Sequence, residues 1–342
     1  MIEKYNLIEH IRLRPGMYIG SKDYWGYSQL LSYLIIDFIT SGGNEITLIL
    51  KENNQLIIEC TSNEQNLFHL DLIRNIHTYE QKDFNLSLGV IIGLSECSVI
   101  EVSDLPILVS DKGNFRILDN IEHIADVRKV KINFTPDKDI FKDLVLKYQT
   151  LNTLFRRFAF LASEIKIKSI DDSKEEKQIN IFHYPEGLGE IIDYELEKRF
   201  MHTSPCFKLN FKKDTTFSYS LAVAFIDSWH FKPKTKVYAN YEETILGGSL
   251  LDGIVQGLKK FFREEALKRQ MKVNLTSSRL KKHFLIYASV TGKLSYLGST
   301  RSKLGTPKVQ TETKKFLYEE LKLYFANKSD KIEEILEAFQ DE

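Results

Sequence analysis

Cysteine is scarce in this 342-residue chain, with only Cys60, Cys97 and Cys206. They are far apart, odd in number and form no C-x-x-C pair, so nothing supports a disulfide framework or a cysteine zinc site. Buried free thiols in a reducing cytoplasm are the expected reading of them. The eight histidines are scattered. His69 and His77 lie eight apart in a polar stretch and read as surface or capping residues, so no metal is expected. Proline is sparse at 7. Long apolar runs are missing too. The longest, Leu30 to Ile39, is broken by Ser32 and Asp37 and falls well short of the ~20 residues a membrane helix needs. Met1 to Asn6 lead straight into a polar, charged segment, so no signal peptide is expected. A cytoplasmic protein without a membrane partner is expected.

What is present is a globular composition, 43% hydrophobic and 27% charged. The length suffices for two domains, each with its own core. Net charge is zero, yet its distribution is lopsided. Gln256 to Lys315 carry 15 Lys and Arg against 3 Asp and Glu, a surplus of 12, and the rest of the chain carries the opposite. One basic region inside a neutral protein points to a polyanion partner. Lone Lys-Lys pairs are ordinary solvated faces, and Glu264-Glu265 are simplest as intrahelical salt-bridge partners.

Periodicity gives strands and helices in alternation. Tyr27 to Gly42 reads as a helix capped by Ser28 and ended by Gly42-Gly43. Glu45 to Leu50 and Gln55 to Cys60 read as a hairpin turning at Asn53-Asn54. Further strands are predicted at 97–103, 107–110, 115–118 and 130–134, then a long helix over 137–162. Asp171 to Lys177 is a charged turn between strands 164–170 and 178–183. A boundary near 200–205 divides an expected domain 1–200 from a domain 201–342. The second holds strands 206–211, 217–227 and 236–241, a helix 248–269, a strand 283–290 and two terminal helices. The class is α+β in both halves.

Three stretches carry a family resemblance. Arg12-Leu13-Arg14-Pro15-Gly16-Met17-Tyr18-Ile19-Gly20 resembles the R-x-R-P-G-M-Y-I-G run that precedes the first ATPase helix of gyrase B and topoisomerase IV B subunits. Val237-Tyr238-Ala239-Asn240, followed by Gly247-Gly248-Ser249, is similar to the strand, loop and double-glycine helix start of that family's transducer domain. Thr300-Arg301-Ser302-Lys303-Leu304-Gly305 is similar to its Q-T-K-x-K-L-G loop. Their order and spacing fit over nearly the whole chain. The resemblance implies an ATPase-like α/β sandwich of the gyrase/Hsp90/histidine-kinase type, then a transducer domain with a left-handed βαβ crossover.

The family's activity does not carry over residue by residue. Its first helix bears a Glu, general base for the attacking water, and an Asn that holds Mg²⁺, one turn apart. Aligned on Asp37, those positions are Leu34 and Phe38, which can neither take a proton nor offer oxygen to a hard cation. The family's Asp-Gly-x-Gly turn is replaced by Cys60-Thr61-Ser62-Asn63-Glu64. Its glycine-rich lid corresponds to Tyr79 to Gly93, where only Gly89 and Gly93 remain and read as packing glycines. The family's γ-phosphate Gln and Lys align with Ser299 and Arg301. Asp37, Cys60, Gly89, Arg301 and Lys303 are thus remnants of nucleotide contacts, and no bound ATP or Mg²⁺ is expected.

The basic surplus falls where the family's transducer lines a DNA passage. Lys259, Lys260, Arg263, Lys268, Arg269, Arg279, Lys281 and Lys282 are the expected phosphate contacts, with Lys272, Arg301, Lys303 and Lys308 beside them. Aromatics are not interleaved at stacking intervals, so double-stranded DNA is expected to be held by its phosphates. Three readings stay open. The chain is a non-catalytic module that binds DNA or a protein, an ATPase using Asp37 or Glu59 as base, or a modulator that pairs with a cellular gyrase or topoisomerase IV partner. With only Met1 to Asn6 ahead of the first motif, the family's dimerising arm is nearly absent, and a monomer or weak dimer is expected.

Overall fold

The computed structural model describes residues 7–63, 67, 73, 86–124, 126–198, 205–226, 233–298 and 300–340. His69, His77, Tyr79 and Ser299 lie outside the described residues. Two compact units result, 1–185 and 186–342.

The first unit opens with short helices α1 (Leu7–Leu13) and α2 (Pro15–Ile19), then α3 (Tyr24–Thr40). Asp23, rather than Ser28, caps α3, accepting from the backbone N–H groups of Trp25 at 2.9 Å and Gly26 at 3.3 Å, so the helix starts earlier than expected. Strands β1 (Glu45–Leu50) and β2 (Leu56–Thr61) form the expected hairpin, with Asn53 and Asn54 both at positive φ. Next come α4 (Leu86–Leu94), β3 (Ser95–Val102), β4 (Leu105–Asp111), β5 (Asn114–Ile117), β6 (Lys129–Pro136), α5 (Tyr148–Leu161), β7 (Lys166–Asp171) and β8 (Gln178–Phe182). The eight strands make one mixed sheet in the order β5-β4-β3-β6-β2-β1-β7-β8. Alternation along β1, β2 and β6 puts one set of side chains, among them Ile46, Leu48, Leu56, Ile58 and Cys60, into the core.

The expected helix over 137–162 begins only at Tyr148. Two polar contacts explain the difference. Asp137 accepts from the Asp139 N–H at 2.9 Å, making a local turn. The Asn54 side chain donates to the Leu144 carbonyl and accepts from the Leu146 N–H, fastening this segment to the hairpin.

The second unit holds α6 (Leu188–Glu197), β9 (Phe207–Asp214), β10 (Ser218–Phe225), β11 (Thr235–Ala239), β12 (Glu242–Glu243), α7 (Ser249–Lys268), α8 (Ser277–His283), β13 (Phe284–Thr291), α9 (Pro307–Phe325) and α10 (Ser329–Glu337). Its sheet runs β12-β11-β13-β10-β9. β11 and β13 are parallel with α7 between them in the chain, a βαβ crossover. The expected boundary near 200 moves to 185, because α6 packs on β9, β10 and β13. Buried Glu195 of α6 accepts from the Tyr287 hydroxyl of β13 at 2.9 Å and pairs with Lys234 at 2.8 Å. No described helix is long and apolar enough to cross a membrane.

Candidate functional site

Two places answer to the sequence motifs, one in each unit. In the first, the leading motif is a scaffold. Arg12 donates to the Gly93 carbonyl at 2.7 Å and to buried Asp137 at 2.6 Å, tying α1 to α4 and to the end of β6. His10 and Tyr18 share a hydrogen bond at 2.6 Å, and Tyr33 of α3 donates to the Tyr18 carbonyl at 3.0 Å. The arrangement fixes the start of α3.

The inner face of α3 is apolar and closed. Leu30, Leu31, Leu34, Ile35 and Phe38 are all buried, Leu34 at 1% and Phe38 at 2% exposure. Asp37 is half-buried. Behind Phe38 the chain passes so close that a Cβ on Gly43 would stand 2.5 Å from the Cys60 Sγ and 2.8 Å from the Phe38 carbonyl oxygen. Burial, and then the charge of Glu59, push the Cys60 thiol up to about 12. Glu59 is no substitute base for this face. It lies on the opposite side of β2 from Cys60 and pairs with Lys129 at 3.3 Å. Gly89 and Gly93 fall inside α4, a helix whose described residues from Ser87 to Leu94 are all buried. A Cβ on Gly93 would meet Ile11 at 2.9 Å. Among the described residues no group of three His, Cys, Asp or Glu side chains could hold a metal ion.

In the second unit the other two motifs meet. Gly248, at φ +101°, opens α7, and a Cβ there would stand 2.1 Å from the Leu304 carbonyl oxygen. Leu304 donates its N–H to the Gly247 carbonyl, and Ser249 donates its own to the Leu304 carbonyl, each at 3.0 Å. Gly248 is therefore required by the backbone of the 300–305 loop, while Gly247, at φ +68°, is required by its own positive φ and by the Leu251 side chain. Arg301 of that loop is exposed, 3.7 Å from Glu242 and 5.8 Å above the Tyr296 ring, while Lys303 is half-buried.

The basic residues separate into those open to solvent and those engaged by the fold. Lys259, Lys260 and Arg263 line a groove of about 350 Å³ with Gln256, Glu264 and Lys314. Lys281 and Lys282 are exposed in the last turn of α8, and Lys272 is exposed beyond α7. Exposed Lys268 and half-buried Arg269 pair with Glu265 at 2.6 and 2.5 Å. Arg279 donates to the Ala338 and Gln340 carbonyls at 3.4 and 3.2 Å and covers the Phe339 ring. Lys308 donates to Thr216 at 2.9 Å. Arg269, which also donates to Ser329 at 2.9 Å, and Arg279 are thus engaged within the fold.

Sequence reasoning left out Lys314 and Tyr318, which α9 brings to the groove. The signal was Gly253-x-x-x-Gly257 on α7. A Cβ on Gly253 would meet the Gln310 carbonyl oxygen at 2.6 Å, and one on Gly257 the Lys314 carbonyl oxygen at 3.1 Å, so the two glycines admit α9. Tyr318 donates to Glu264 at 2.5 Å, and Lys260 lies 4.0 Å above its ring. An aromatic is thus present in the basic region, but a lysine covers its face.

Comparison with known proteins places this architecture. The B-subunit of the DNA gyrase from Myxococcus xanthus superposes with a TM-score of 0.77, covering 97% of this chain and 99% of that one at 16% identity. The 43K ATPase domain of Thermus thermophilus gyrase B, solved with an aminocoumarin, superposes with a TM-score of 0.71 over 97% and 93% at 18% identity. The fold is that of a gyrase B ATPase region. A family model described as DNA gyrase B matches residues 187–342. The B-subunit of DNA topoisomerase 4 from Enterococcus faecalis is 24% identical over 94% of this chain and 52% of its own length. The B-subunit of DNA gyrase from Clostridium acetobutylicum is 26% identical over 93% and 54%. Over most of its length the chain is similar to the B-subunits of DNA gyrase and topoisomerase 4, and it spans about half the length of these curated relatives.

Proposed function

We propose that this chain is a pseudo-ATPase of the topoisomerase B-subunit type that holds double-stranded DNA by its phosphates. The observation that carries the first half is the burial of Leu34 and Phe38. At the positions where the resemblance puts the general base and the magnesium ligand, two apolar side chains face the core. An ion or a reactive water there would be stripped of its solvation without any oxygen in return. The α7–α9 groove supports the second half, since it gathers Lys259, Lys260, Arg263 and Lys314 in one open channel.

Calorimetric titration with ATP, with and without Mg²⁺, is expected to give no binding heat. Saturable binding, or turnover that Asp37→Ala abolishes, would sink the pseudo-ATPase reading. Anisotropy titrations with labelled duplex at two salt concentrations test the rest. Affinity is expected to fall steeply with salt, the slope of log K against log salt being about −5 for roughly six neutralised phosphates. Lys259, Lys260 and Arg263 all changed to Glu are expected to abolish binding. A chain that ignores duplex at low salt, or a triple variant that binds as well as the wild type, removes DNA from the reading.

A further inference from the structure

The lining of the α7–α9 groove contains one carboxylate among four cations. Glu264 stands with Lys259, Lys260, Arg263 and Lys314. It is held there from two sides. The Tyr318 hydroxyl donates to Oε2 at 2.5 Å, and the Lys260 ammonium lies 4.0 Å from Oε1. Lys260 also lies 4.0 Å above the Tyr318 ring, and Lys322 caps that ring at 5.5 Å. The hydrogen bond to Glu264 keeps the Tyr318 phenol protonated, its pKa raised. Its neighbour Glu265 is turned away, onto Lys268 and Arg269. Glu264 is half-exposed, with 42% of its side chain open to solvent.

We propose that Glu264 is a resident counter-anion of the groove, occupying cation capacity that a DNA phosphate takes over in the complex and thereby setting the affinity for duplex. The inference rests on the DNA-binding reading above. A carboxylate and a phosphate oxygen compete for the same ammonium and guanidinium donors. An ion pair this long and this exposed is weak and exchangeable. The phenol keeps the carboxylate inside the groove where, without that bond, a flexible side chain would spend its time in water. Once a phosphate has arrived, the retained negative charge repels it, so the device trades affinity for easy release.

The test uses the intact chain and labelled duplex of random sequence. Glu264→Gln keeps the shape and removes the charge, and Glu264→Ala removes both. Glu333→Gln, an exposed position on α10, controls for the change in overall charge. Both Glu264 variants are expected to bind duplex about three- to tenfold more tightly than the wild type, the size of one unit charge acting a few ångströms away in solvent. Their log K against log salt slope is expected to steepen by about 0.9, one more phosphate neutralised. Glu264 variants that bind like the wild type, or no more tightly than Glu333→Gln, overturn the inference while wild-type binding leaves the DNA reading standing. A wild-type chain that binds no duplex at low salt overturns both.

Discussion

Helices α3 and α7 make the instructive comparison. Each follows a motif that resembles one of the topoisomerase B subunits, and each buries an apolar face. The inner face of α3 is apolar from Leu30 to Phe38 and sealed against the first unit's core. α7 buries Leu250, Ile254, Leu258, Phe261 and Phe262 on one side and turns Lys259, Lys260 and Arg263 outward on the other. Charge is absent from the face that packing closes and present on the face that stays wet. The difference follows from desolvation, which is prohibitive for an unpaired ion in a core and negligible at a groove rim.

The largest test installs polar groups on the closed face of α3. Leu34→Glu with Phe38→Asn is expected to cost about 4 kcal/mol or more, through a buried charge and a lost aromatic volume. Urea denaturation reads the loss. A double variant that keeps its stability and turns over ATP would show that the face is an open site after all. Next comes Arg12→Ala, which strands the Asp137 carboxylate at 1% exposure and is expected to cost about 3 kcal/mol. Unchanged stability in that variant would mean the leading motif is not the clasp described here.

A smaller effect sharpens the α7 side. Gly253→Ala places a methyl group 2.6 Å from the Gln310 carbonyl, pushes α9 from α7 and is expected to cost about 2 kcal/mol. Duplex affinity should drop with it, because Lys314 withdraws from the groove. Preserved affinity in a destabilised variant would separate Lys314 from binding. The smallest effect is chemical. At pH 8 a thiol with a pKa of about 12 is about one part in ten thousand thiolate. Exposed Cys97 should react with a thiol reagent in the folded protein, and Cys60 only after denaturation. Equal rates for both would mean that the α3–β2 contact opens.

Much of the fold was legible because it rests on local patterns. The hairpin over 45–60 showed its alternation and its Asn-Asn turn, and α7 showed its double glycine and its apolar stripe. Other elements were not legible. α6 was missed, although Leu188, Ile191, Ile192 and Leu196 make a helical stripe, because Glu195 sits within it. That carboxylate is buried only because Lys234 and Tyr287 meet it from elsewhere in the chain. The helix expected over 137–162 was overextended for a related reason. Asn54, some ninety residues earlier, takes the hydrogen bonds of 144–146.

The sequence by itself determined that positions 34 and 38 carry the apolar Leu34 and Phe38, that Gln256 to Lys315 hold twelve surplus positive charges, and that three motifs resemble those of the gyrase B subunits. Such features are properties of residue types in order. Only the tertiary structure decided which cations stay open to a partner. Arg279 is claimed by the carbonyls of Ala338 and Gln340, some sixty residues away, while Lys314 and Tyr318 arrive from α9 beside Lys260, Arg263 and Glu264. A charge count adds what lies nearby in sequence, whereas a hydrogen bond or an ion pair depends on what folding brings within about 3 Å.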